Sequence, residues 1–110
     1  MKKKWKRLWL KALRSNKYQQ GRFVLRRGSG RKKECRFCPL GILADIICPR
    51  GWRSDGMNYS YSMRGSYTQL DKELMSITGL SASDQSRVMM MNDEQQRSFP
   101  TISRWIEEHL

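Results

Sequence analysis

Glu34-Cys35-Arg36-Phe37-Cys38-Pro39-Leu40-Gly41-Ile42-Leu43-Ala44-Asp45-Ile46-Ile47 is the stretch whose reading decides the fold. Its first part alternates, with Cys35 and Phe37 on one face and Arg36 on the other, the period of a half-buried strand. Pro39 brings a fixed φ and needs no amide hydrogen, which suits the first turn of a helix. At about 100° per residue, Leu40, Ile42, Leu43, Ile46 and Ile47 then cover more than half of a helical circumference. Only Gly41 and Asp45 form a thin polar or open strip. A helix apolar over so wide an arc must be wrapped by other elements, so this one is predicted to be central. Asp45 is the single candidate for a buried acid, although a solvent-facing or salt-bridged side chain is the simpler expectation.

Toward the N-terminus, residues 3–14 read as an amphipathic helix. Trp5, Leu8, Trp9, Ala12 and Leu13 fall within one arc, while Lys3, Lys4, Arg7, Lys11 and Arg14 fall on the opposite one. The spacing predicts a docked surface helix with a solvated basic face. After Gly21, residues 22–27 read as a strand with Phe23 and Leu25 on one side. Gly28-Ser29-Gly30 supplies the positive-φ freedom of a tight turn, and the strand ending at Phe37 returns antiparallel. Arg22, Arg26, Arg27, Arg31, Lys32 and Lys33 crowd this hairpin, where charge also discourages edge-to-edge pairing.

On the C-terminal side, Cys48-Pro49-Arg50-Gly51 ends the central helix. Residues 52–68 are rich in Ser, Gly and Tyr and predict an irregular loop, with room for a short strand around Tyr59 to Ser62. Trp52, Tyr59, Tyr61 and Tyr67 are interleaved here with Arg53 and Arg64. Such a mixture can stack on bases or anchor a protein partner, yet covering the adjacent core is its commoner use. A short helix over 71–78 follows, ended by Gly79 with Leu80 folding back on Met75. Ser81 or Ser83 caps the next, running to about Met91, with Val88, Met89, Met90 and Met91 all round it. Ser98 caps the last, where Phe99, Ile102, Ile106 and Leu110 share a face and Trp105 flanks it. The fold class predicted is a small α+β domain over residues 1–110. It comprises a basic N-terminal helix with residues 1–4 frayed, an antiparallel β-hairpin, a central buried helix and three short C-terminal helices.

The chain of 110 residues carries a net charge of +12, unevenly distributed. Fifteen of its basic side chains and one acid, Glu34, lie in residues 1–36, a net of +14, whereas residues 37–110 sum to −2. That asymmetry points to an anionic partner: nucleic acid, an anionic membrane surface or an acidic protein. The basic start resembles that of a signal peptide, but the apolar run Leu8-Trp9-Leu10 stops at Lys11. No run approaches the roughly 20 apolar residues that span a bilayer. With three cysteines and no secretion signal, a cytoplasmic chain with reduced thiols is expected.

Cys35-x-x-Cys38 invites a metal or redox reading. Zinc requires four tetrahedral ligands. Cys48 lies beyond a helix about 14 Å long, and the single histidine, His109, is at the opposite end of the chain. Redox pairs place their first cysteine at a helix N-terminus, whereas Cys35 falls in a predicted strand. Packing cysteines are therefore expected, with no metal and no cofactor. Catalysis is not expected either: the acids form no obvious pair, and no phosphate-binding glycine loop or nucleophile motif occurs.

Phe37-Cys38-x-Leu40-Gly41-Ile42-Leu43-x-Asp45 resembles the hallmark of a family of small uncharacterised proteins encoded by tailed bacteriophages and prophages. Further fragments fit that family in the same order: Ala12-Leu13-Arg14-Ser15 with Tyr18-Gln19-Gln20-Gly21, Gly79-Leu80, Met91-Asn92-Asp93, and Ser98-Phe99 with Ile102, Ile106, Glu107 and Leu110. Pro39 and Ala44 stand where such proteins often have cysteine, and this N-terminus is more basic than theirs. The resemblance implies a source and a fold, with no established activity. Together with the charge pattern it leads to a non-enzymatic phage accessory protein in the host cytoplasm. The expected partner is nucleic acid or a nucleoprotein, bound through Lys3, Lys4, Arg7, Lys11, Arg14, Arg26, Arg31, Lys32 and Lys33. The alternative is inhibition or redirection of an acidic host protein, such as a defence factor. Peripheral membrane contact through the first helix is disfavoured, since its tryptophans serve so small a core better.

Overall fold

The computed structural model describes residues 1–54 and 60–110 as an α+β domain. Its elements are α1 (Lys3–Leu13), β1 (Gln19–Gln20), β2 (Arg26–Arg27), β3 (Arg36–Phe37), α2 (Pro39–Ile47), β4 (Trp52–Ser54), β5 (Ser60–Met63), α3 (Lys72–Thr78), α4 (Ala82–Met89) and α5 (Phe99–His109). A 3-10 turn (Lys32–Glu34) precedes β3, and a π-helical turn (Met90–Glu94) extends α4.

α2 is central, as its apolar arc requires: every residue from Pro39 to Asp45 is buried. It packs against α1, α4 and β3, while α1 also packs against α5. The Gly41 N–H donates to Cys38 Sγ at 3.4 Å, so a cysteine does the work of the helix cap. Gly41 is indispensable for another reason. A Cβ there would lie 1.8 Å from the Leu25 carbonyl oxygen, so only glycine lets the helix meet the chain entering β2.

Five short strands form a sheet in the order β1-β3-β2-β5-β4. β2 and β3 do pair antiparallel, but only through Arg26 opposite Phe37 and Arg27 opposite Arg36. The strand expected over 22–27 begins later because Phe23 takes φ 73° and is 61% exposed, not paired with Leu25 on an inner face. Tertiary bonds win over strand pattern here. Asp93 Oδ1 accepts the Phe23 N–H at 2.9 Å, the buried Asn92 donates to the Gly21 carbonyl at 2.9 Å, and Arg22 Nε donates to the Asn92 carbonyl at 3.1 Å. Residues 19–20 instead run parallel to β3 as the edge strand β1.

The segment expected to be an irregular loop supplies β4 and β5, which pair antiparallel from Trp52 opposite Met63 to Ser54 opposite Tyr61. β5 realises the expected short strand, shifted by about a residue; Tyr59 itself lies outside the described residues. The start of the chain is tied down rather than frayed. Lys2 N–H donates to the Thr78 carbonyl at 2.8 Å, and Met1 packs against the core. Ser81 and Ser98 cap as expected, accepting from Asp84 and Thr101, and Gly79 ends α3 at φ 75°; Asp71, for which no cap was expected, caps α3 by accepting from Leu74. α4 stops at Met89, and the residues beyond it open into the wider π turn.

Candidate nucleic-acid interface

α1 is amphipathic in space as in sequence. Trp9 and Leu13 are buried, Trp5 and Leu8 are half-buried, and Lys3, Lys4, Arg7 and Lys11 are exposed. The Trp9 indole donates to the Pro39 carbonyl at 2.8 Å, which fixes the helix onto the start of α2. On its flank, Lys6 Nζ donates to the Glu107 carbonyl at 3.0 Å, and Arg14 donates to Ser103 Oγ at 3.2 Å and to Glu107 Oε2 at 3.0 Å. The hydrogen bond and charge of Arg14 hold the Glu107 carboxyl below the usual range for glutamate.

These contacts leave a shallow groove beside α1, lined by Lys3, Lys4, Lys6, Arg7, Leu10, Lys11 and Arg14 together with Glu107. Two features make it more positive than a count of lysines suggests. α1 opens with lysines in its first turn, no acid there and no side-chain cap, against the preference of a helix N-terminus for negative charge. The chain also leaves its cations uncompensated: among the described residues, only Arg14, Lys32 and Arg64 enter ion pairs. Lys4 Nζ lies 4.8 Å from the Trp5 ring centroid, which steers the side chain without neutralising it.

The hairpin cations meet a different end, and three of the nine residues expected at the interface are accounted for by the protein itself. Arg26 is only 4% exposed. Its guanidinium carbon sits 3.9 Å from the Tyr61 centroid, 5.4 Å from Phe37 and 5.6 Å from Trp52, and a terminal nitrogen donates to the Gly30 carbonyl at 3.2 Å. Arg26 is thus a core residue, not a phosphate contact. Lys32 pairs with Asp45 of α2 at 2.6 Å. Asp45, 4% exposed, is the buried acid that the thin strip of α2 suggested, and it is salt-bridged as well. It also accepts from Tyr18 at 2.6 Å and from the Trp52 indole at 2.9 Å. Partial burial, then the bond and charge of Asp45, push the Tyr18 phenol up, so it remains a donor at all ordinary pH. Arg14, bound to Glu107, is the third.

Arg31 and Lys33 stay exposed, and Arg27 and Arg36 line a separate hollow with Gly28, Ser29 and Glu34. This hollow and the α1 groove have no lining residue in common. Of the aromatics in 52–67, Trp52 and Tyr61 pack edge-on in the row Tyr18–Phe37–Trp52–Tyr61, while Tyr67 is exposed. Lys6 and Leu10 are groove residues that sequence reasoning left out; Leu10 was placed only in the short apolar run.

The cysteines show no reactive arrangement. Cys35 and Cys38 are buried and Cys48 is half-buried, all unbridged. Burial pushes the Cys38 thiol from its ordinary 9.0 up to about 12, although the Gly41 N–H pulls the other way. Among the described residues, no three His, Cys, Asp or Glu side chains gather to hold a metal ion, and no helix is long and apolar enough to cross a membrane.

The fold and groove define a small α+β domain with a cationic helix face on which Lys3, Lys4, Arg7 and Lys11 enter no ion pair among the described residues. The chain belongs to the family described as a domain of unknown function, DUF8296, whose model matches residues 1–104. Comparison with curated proteins and with solved structures gives no match.

Proposed function

We propose that this is a non-enzymatic accessory protein of a bacteriophage or prophage that binds nucleic acid or a nucleoprotein in the host cytoplasm. The contacts come from Lys3, Lys4, Arg7 and Lys11 on α1, supplemented by Arg31 and Lys33. One observation carries the reading: Lys3, Lys4, Arg7 and Lys11 are exposed on a docked helix and enter no ion pair among the described residues, while Glu107, which lines the same groove, is taken up by Arg14. A rigid row of cations suits a phosphate backbone, whose condensed counterions are released on contact. Among the described residues, the groove has no Asn, Gln, Ser or Thr beside its lysines and arginines, so contacts mainly to phosphates and little sequence preference are expected. The phage origin rests on the Phe37–Asp45 hallmark and its ordered companions.

A second reading is favoured by Leu10. An apolar side chain among lysines also fits an acidic host protein bearing one hydrophobic residue. Affinity capture from host cells, with and without nuclease, separates the two. Loss of captured partners on nuclease treatment is the expected result; a partner that survives it gives first place to the host-protein reading.

A further inference from the structure

We propose that the pocket between the π-helical turn and α5 binds a nucleotide through its phosphate monoester. This site is independent of the α1 groove. Ser103 and Glu107 of α5 meet α1, whereas Thr101 and Trp105, on another side of the same helix, line the pocket.

The pocket exists because α4 does not end cleanly. Its last turn widens, so that Gln95 N–H donates to the Met90 carbonyl at 3.0 Å and Arg97 N–H to the Met91 carbonyl at 2.9 Å. Gln96 is then forced to φ 52°, a conformation that a residue with a side chain seldom adopts. π turns and left-handed non-glycine residues both carry a cost and concentrate at functional positions. Here the two together bring Arg97 and Gln95 opposite Arg87 of α4.

The lining is Arg87, Met91, Gln95, Arg97, Thr101 and Trp105, around a cavity of about 310 Å³. No acid lines it among the described residues, and neither arginine is in an ion pair there. Gln95 Oε1 accepts from Arg97 Nε at 3.1 Å, which orients the guanidinium and leaves its terminal nitrogens to a ligand. Two guanidinium forks with a threonine hydroxyl exceed what one carboxylate needs and match the oxygens of a dianionic phosphate. Met91 and the indole of Trp105, with the His109 ring stacked on it at 4.8 Å, offer an apolar and aromatic wall for a base. The volume lies at the small end of the range for small-ligand sites, which suits one nucleotide. That nucleotide is either free or the phosphorylated 5′ end of a strand.

Isothermal titration of the full chain with adenosine 5′-monophosphate, adenosine and inorganic phosphate tests the site. The monophosphate should bind at least about tenfold more tightly than either of the others. Arg87→Gln and Arg97→Gln should each weaken it by about tenfold with the circular dichroism unchanged, and Lys11→Gln should leave it alone. Should Arg97→Gln disturb the fold, the exposed Arg87 still decides the matter. Binding of adenosine or phosphate as tight as the monophosphate, or indifference to both arginine substitutions, would overturn the proposal. A single strand with a 5′-phosphate compared against its 5′-hydroxyl twin then assigns the source. Discrimination supports strand ends, and its absence alongside monophosphate binding supports the free nucleotide.

Discussion

Two segments of this chain are equally basic in sequence and opposite in structure. On α1, Lys3, Lys4, Arg7 and Lys11 stand in solvent, while between β2 and β3 Arg26 is roofed by three aromatic rings and Lys32 neutralises a buried aspartate. The difference lies in what each backbone position faces. A helical residue opposite the apolar arc has only water beside it. Arg26 is a strand residue whose neighbours across the sheet are Phe37 and Tyr61, and its side chain is drawn onto those rings. Charge counting therefore measures the supply of cations; the fold decides which of them remain available.

The contrast breaks most severely if α1 is not docked. Trp9→Ala should cost about 3–5 kcal/mol, because the side chain is fully buried and its indole bonds Pro39. An unchanged melting temperature would make α1 a free arm and leave its cations without a fixed geometry.

Asp45→Ala comes next, at about 2–4 kcal/mol, since it strands the Tyr18 hydroxyl and the Trp52 indole. Lys32→Ala should cost no more than about 1 kcal/mol, the lysine being 40% exposed and screened by water. Paired chemical denaturation of the two variants checks the order. A larger loss at Lys32 would mean that the ion pair, not the neutral donors, holds the site.

Arg26→Ala should destabilise by about 2 kcal/mol through lost stacking and stem packing, whereas Lys11→Gln should stay within about 0.5 kcal/mol. Equal melting temperatures for the two variants would erase the distinction between core and solvent cations.

A smaller effect sits on the alkaline side. Burial pushes the Cys38 thiol up to about 12 from its ordinary 9.0, so at alkaline pH the folded chain holds a proton that the unfolded chain gives up. The stability due to this is fully present below 9.0 and is lost as pH rises through about 12. The raised Tyr18 phenol adds loss of the same sign, beginning at its ordinary 10.0. Cys38→Ala should flatten the fall in melting temperature with rising alkaline pH; an identical slope would contradict a buried, neutral thiol.

Much of this was legible in the sequence, and unevenly so. The helices were, because their apolar arcs, proline starts and Ser or Asp caps are local signals: α2 runs from Pro39 to Ile47 and α5 begins after Ser98, as read. The strands were not, since elements of two to four residues carry almost no periodicity and their pairing is decided by distant partners such as Asn92 and Asp93. The exposed face of α1 was visible as the arc opposite Trp9. The withdrawal of Arg26 and Lys32 was hidden, because it depends on rings and an acid that meet only in the folded chain. Arg87 and Arg97 were hidden too: the π turn that brings them to one pocket has no signature in the residue pattern.

The direct test of the central claim is the salt dependence of binding to duplex DNA. With about five to six contacts from α1, Arg31 and Lys33, log K against log[salt] should have a slope of about −4.5 to −5.5. Replacing Lys3, Arg7 and Lys11 together by Gln should shallow that slope by about three units and weaken all sequences alike, while Lys32→Gln should leave it unchanged. No binding at about 50 mM salt, or a slope that responds to Lys32 and ignores the α1 variant, would contradict the account.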